Sequence, residues 1–108
     1  MNEWSSAQIE ARYAGADDAP FAVYFYTPLC GTCAVAEKML SVIEAASPGL
    51  PLYKCNINFA PELARAWQIA SVPCLALITE GTHVRKLYAM RSVPDLYNEL
   101  KPLMNKET

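Results

Sequence analysis

Residues 21–33 read FAVYFYTPLCGTC, an apolar and aromatic run followed closely by two cysteines that are separated by two small residues. Phe21 to Tyr26 has strand length, no polar alternation and turn residues on both sides, which suits a central strand covered on both faces. From Cys33 onward, Val35, Ala36, Met39, Leu40, Val42 and Ile43 recur at helical spacing until Ser47, Pro48 and Gly49 break the pattern. The C-x-x-C therefore sits where a strand hands over to a helix. It can be a structural staple, half of a metal clamp or a reaction centre.

Bulk composition narrows the choice. With 108 residues, over half of them hydrophobic, and a net charge of -2, the chain suits one compact domain spanning residues 1–108. Its charges are mixed in sign, which gives no footprint for a nucleic acid or an anionic membrane surface. The opening residues MNEWSSAQIE have neither the basic nor the apolar region of a secretory leader, and no apolar run reaches membrane-spanning length. A cytoplasmic protein is the expectation. In a reducing compartment a C-x-x-C is more readily catalytic or metal-binding than a staple.

Local signals outline the remaining elements. Ser5 with Gln8 is a capping-box pattern opening a short helix that stops at Gly15, and Asp17 to Pro20 reads as a turn. Leu52 to Ile57 reads as a strand, and Pro61 opens a short helix toward Trp67 and Ile69. Val72 to Ile78 reads as a third strand with Pro73 at its start. A tight turn at Glu80 and Gly81 leads to a fourth strand, Thr82 to Ala89, and Ser92, Pro94 and Asp95 begin the last helix. The predicted order is α-β-α-β-α-β-β-α, with parallel strands joined through helices and one antiparallel hairpin.

Two cysteines at i and i+3 of a helix start lie on one side of the first turn, within bridging distance after small adjustment. The sulfur of Cys30 is expected near unpaired backbone N–H groups and the positive end of the helix dipole, which favour thiolate. Cys30 is thus the candidate nucleophile. Cys33, one turn further in, suits a protonated resolving thiol. Zinc needs four ligands, and Cys55, Cys74 and His83 stand at no matching spacing, so no metal is expected. His83 reads as a solvated side chain.

Taken together, the C-G-x-C after an aromatic strand, the lysine-bearing LYKCNIN (residues 52–58) and WQIASVPCLALI (residues 67–78) followed by a glycine turn resemble the thioredoxin family. The resemblance implies an α/β thioredoxin fold: a central mixed sheet of about four strands flanked by helices, with Val72-Pro73 as a cis peptide against the cysteine pair. It also implies that the Val72 backbone pairs with an extended substrate segment, that Leu29 takes part in substrate binding, and that Gly31 and Thr32 belong to the reactive loop. This chain departs from the family pattern in several places. Leu29 and Thr32 stand where thioredoxins usually carry Trp and Pro. Thr32 restores a backbone N–H toward Cys30, which should make Cys30 more acidic and the couple more oxidising. Tyr24 stands where the family buries an acid, while its lysine is kept as Lys54, and Tyr is a poor base at neutral pH. Lys38 and Ala89 replace a usual Pro and Gly.

Cys55 should point away from Lys54 as a buried small hydrophobe. Cys74 is either a packed, inert thiol or a third redox thiol within reach of the pair.

The implied activity is thiol-disulfide exchange at Cys30 and Cys33 on disulfide-containing protein substrates, with a reductase or low-molecular-weight thiol as electron donor. No cofactor beyond the redox-active disulfide is called for, and the protein is expected to be a monomer. A redox-sensing or partner-binding module with little turnover is the alternative. Zinc or iron-sulfur ligation by Cys30, Cys33 and Cys74 across a dimer is a third possibility.

Overall fold

The computed structural model describes residues 1–15, 19–80 and 83–104. In chain order these form β1 (Asn2–Glu3), α1 (Ser6–Ala14), β2 (Phe21–Tyr26), α2 (Gly31–Ala46), β3 (Leu52–Asn56), a 3₁₀ turn (Ile57–Phe59), α3 (Pro61–Ala66), β4 (Cys74–Glu80), β5 (His83–Leu87) and α4 (Val93–Met104). The strands make one sheet in the order β1-β3-β2-β4-β5. β3 runs parallel to β1 and β2, while β2 with β4 and β4 with β5 are antiparallel. The sheet has one strand more than the sequence suggested. β1 is two polar, exposed residues paired with Tyr53 and Lys54, and so short and polar a segment carries no periodic signal.

β2 has the bounds expected of it and lies at the centre. Its alternate side chains feed two cores, as a strand buried on both faces must. Ala22 and Tyr24 join Ala36, Leu40 and Ile43 of α2 and Leu96, Leu100 and Leu103 of α4. Phe21, Val23 and Phe25 join Ile9 of α1, Leu63 of α3 and Trp67. Burying a side chain of this size stabilises by ~1.5–3 kcal/mol, so these two layers hold the helices against the sheet. α1 contributes only Ile9 to the buried set. Its start is secured locally instead: Ser5 Oγ accepts from the Gln8 N–H at 3.2 Å, and the Ser5 N–H donates to Gln8 Oε1 at 2.9 Å. At α4 the Asp95 N–H donates to Ser92 Oγ at 3.2 Å.

Several expected boundaries move; the third strand, for one, runs on through Ile78 to Glu80, which was expected in the turn. The third strand starts at Cys74 rather than Val72, because Pro73 has no N–H to give a ladder. Ile57 leaves β3 for the 3₁₀ turn, where Asn56 Oδ1 accepts from the Asn58 N–H at 3.0 Å. β5 ends at Leu87, short of Ala89. Residues 17 and 18 of the first expected turn, Gly81 of the second and Thr82, the expected start of the fourth strand, lie outside the described residues; the register pairs Glu80 with His83.

Candidate active site

Cys30 is the N-cap of α2, extended in backbone at φ -118° and ψ 111°. Its Sγ accepts from the Cys33 N–H at 3.2 Å, and Thr32 Oγ1 lies 3.3 Å from the same sulfur. A thiolate at an N-cap takes the place that a Ser or Asp oxygen usually fills, answering one of the unpaired amides of the first turn. The Cys30 thiol is held below its ordinary pKa by its hydrogen bond with the Cys33 side chain, then by the Thr32 hydroxyl, then by backbone N–H groups. Cys33 is only 2% exposed. Burial pushes its pKa up, and so does the hydrogen bond it shares with Cys30. The two thiols therefore ionise in a fixed order, the outer Cys30 before the inner Cys33. Sequence reasoning anticipated the Thr32 backbone; the Thr32 hydroxyl is an additional contributor it missed, although a Thr two residues past an N-cap is a legible signal.

The surroundings of the pair are unequal too. Leu29 is fully exposed, and a Cβ on Gly31 would meet nothing within 4 Å, so the outer side of the loop is open. Val72-Pro73 is a cis peptide. Pro73 lines a groove of ≈ 370 Å³ with Thr32, Val35, Met39, Tyr88 and Met90, an apolar surface that begins at the reactive loop. The half-buried Val72 side chain turns away to pack with the α1 and α3 core.

Beneath the pair, Tyr24 is fully buried and its hydroxyl donates to the Cys33 carbonyl oxygen at 2.6 Å. Burial, then the proximity of Cys33, raises its pKa well above the ordinary phenol value, so the hydroxyl keeps its proton at any physiological pH. Lys54 is the register partner of Tyr24 on β3, and its Nζ, which lies over the Tyr26 ring, reaches Glu37 Oε2 at 2.8 Å. The charge of Lys54 is thus matched from α2. Glu37 was missed in the sequence, although it stands four residues after Cys33 on the same helix face.

Cys74 does not join the pair. Its register partner is Phe25, and its buried side chain belongs to the core on the α1 and α3 side, across the sheet from Tyr24 and α2. Cys55 lies in the same core, pointing away from Lys54 as expected. Burial pushes both thiols up to about 11, so both are protonated at neutral pH. His83 is exposed on β5.

A mixed sheet with an N-capping C-x-x-C beside a cis proline is the arrangement of a thiol-disulfide exchange protein, and the thioredoxin family model matches residues 7–102. The chain belongs to the thioredoxin family and is a thiol-disulfide oxidoreductase of that class. Among individual relatives, thioredoxin-like protein YusE of Bacillus subtilis is 44% identical over 85 residues, covering 79% of this chain and 80% of YusE. The thioredoxin of Mycobacterium tuberculosis strain H37Rv is 28% identical over 86 residues, covering 79% of this chain and 74% of its own length. The solved structure of chloroplastic thioredoxin z superposes with a TM-score of 0.80 at 18% identity, over 95% of this chain and 93% of that one.

Proposed function

We propose that this protein reduces disulfides in partner proteins by a two-step exchange at Cys30 and Cys33, without metal or organic cofactor. The observation that carries the reading is the Cys30 sulfur accepting the Cys33 N–H at the N-cap of α2 while Cys33 is buried behind it. The Cys30 thiolate attacks a partner disulfide, forming a mixed disulfide and expelling one partner sulfur as thiolate. Cys33, deprotonated, then attacks the Cys30 sulfur; the second partner thiolate leaves and the 30–33 disulfide closes. The partner gains two electrons and two protons, and the pair is returned to dithiol by a reductase or a low-molecular-weight thiol. The open face around Leu29, Gly31 and the Pro73 groove supports docking of an extended segment alongside the Val72 backbone.

A single copy in the cytoplasm is the setting we assign. Two buried, unpaired thiols, Cys55 and Cys74, suit a reducing compartment, and among the described residues no helix is long and apolar enough to cross a membrane. The test is equilibration of the protein in dithiothreitol buffers of graded potential. A reversible two-electron couple is expected, lost in Cys33→Ser and less negative than the ~-270 mV of thioredoxin, because the Thr32 hydroxyl and backbone stabilise the reduced form. Absence of a reversible couple, with partner binding intact, would instead make the chain a docking module.

A further inference from the structure

The proposed exchange needs Cys33 to become a thiolate inside the protein, and among the described residues no carboxylate stands at the Tyr24 position beneath it. What stands there is Tyr24. Its ring is buried in the core below α2 and stacks on Tyr26 with centroids 6.1 Å apart, so it cannot swing away. Its hydroxyl donates a short hydrogen bond, 2.6 Å, to the Cys33 carbonyl. That carbonyl lies in the first turn of α2, where its regular partner is the amide four residues on, and a carbonyl oxygen has two lone pairs. The phenol bond is therefore additional to the helix. The hydroxyl can leave it by rotating about the Cζ–O bond without orphaning a buried group.

Resting on the dithiol reading above, the geometry points to Tyr24 as the positioning residue of the second exchange step: a fixed, buried O–H donor that transfers its hydrogen bond from the Cys33 carbonyl to the Cys33 sulfur as that sulfur becomes anionic. The phenol does not act as a base. The Cys33 proton leaves to water, the anionic sulfur forms its bond to Cys30 Sγ, the Cys30 bond to the partner sulfur breaks with its electron pair on the partner, and Tyr24 keeps its proton throughout. Charge on Cys33 also sets the environment of Tyr24. The titratable groups facing the phenol are Cys33, Glu37 and Cys30 from α2, with Lys54 on β3 as its register partner and Tyr26 on β2 stacked against it. The Tyr24 hydroxyl already interacts with the Cys33 thiol in the reduced state, lowering a pKa that burial, the larger influence, raises.

Stopped-flow reaction with 5,5′-dithiobis(2-nitrobenzoate) separates the two steps, since attack by Cys30 releases one nitrothiobenzoate and resolution by Cys33 releases the second. In Tyr24→Phe the second release should slow by about tenfold more than the first, and its alkaline limb should move to higher pH, as loss of a hydrogen bond to a charged sulfur requires. An unchanged ratio and profile overturn the assignment while leaving the exchange reading intact. If the native protein releases no nitrothiobenzoate at all, the exchange reading fails and the role of Tyr24 with it. A second measurement needs no variant: with ¹³Cζ-labelled tyrosine in the native protein, the Tyr24 resonance should shift with the higher of the two thiol ionisations. A Tyr24 resonance indifferent to that step also overturns the assignment.

Discussion

Thr32 gives the Cys30 sulfur a neighbour that the usual proline cannot, because it offers both an N–H and a hydroxyl, the latter 3.3 Å away. Thr32→Val keeps the shape and the N–H but removes the hydroxyl. The pH profile of Cys30 alkylation by iodoacetamide should then shift to higher pH, and the rate at neutral pH should fall a few-fold as the thiolate fraction drops. An unshifted profile would assign the acidity of Cys30 to the backbone and Cys33 alone. At this scale the sequence was informative wherever a role follows from position along one helix. Cys30 and Cys33 are ranked by which is first in the turn. The pairing of Glu37 with Lys54 is not: the two are 17 residues apart in the chain, and only the packing of α2 on the sheet brings them together. Their ion pair is partly exposed on both sides, so it orders the site more than it stabilises the fold.

Among the elements, α1 and α2 are stabilised in opposite ways. α2 buries Cys33, Ala36, Leu40 and Ile43 and has a reactive sulfur as its cap, so its position is set by the core. α1 buries one side chain and relies on its capping box. Ser5→Ala should therefore cost about 1 kcal/mol. Amide exchange should quicken across Ser6–Ala14 while α2 stays protected; uniform loss of protection would show that α1 is bound into the global unfolding unit. Ser5 with Gln8 and Ser92 with Asp95 were legible because a cap is a contact across three residues. β1 was not, since Asn2 and Glu3 become a strand only when Tyr53 and Lys54 present an edge to them.

Across the whole molecule, thiols held in different environments give stability a pH dependence of two signs. Cys55 and Cys74 have folded pKa values of about 11 against an ordinary 9.0. The folded state keeps protons that the unfolded chain gives up, so their contribution is full below pH 9 and is lost as pH rises toward about 11. Cys33 acts in the same direction, and the raised phenols of Tyr24 and Tyr26 extend the loss to still higher pH. Cys30 acts oppositely: its lowered pKa favours the folded state above the ordinary thiol range and ceases to do so as pH falls through the folded value. The urea midpoint of the reduced protein should consequently fall between pH 9 and 11, and Cys55→Ala with Cys74→Ala should flatten that fall; an equally steep fall in the double variant would assign it elsewhere. Cys74 also shows what a linear reading cannot supply. Its place beside Pro73 left a packed thiol and a third redox thiol both open, and its antiparallel pairing with Phe25 turns it to the opposite core. By itself the sequence determined every described element but β1 and the 3₁₀ turn, and the reactive pair, because caps, turns, apolar periodicity and a C-x-x-C at a helix start are interactions among near neighbours. Only the tertiary structure decided the contacts that strand residues make, and therefore that the Tyr24 hydroxyl meets the Cys33 carbonyl, that Glu37 answers Lys54 and that Cys74 packs in the opposite core. Strand side chains alternate with a period of two, and the face on which each one packs is fixed by how distant segments register across the sheet.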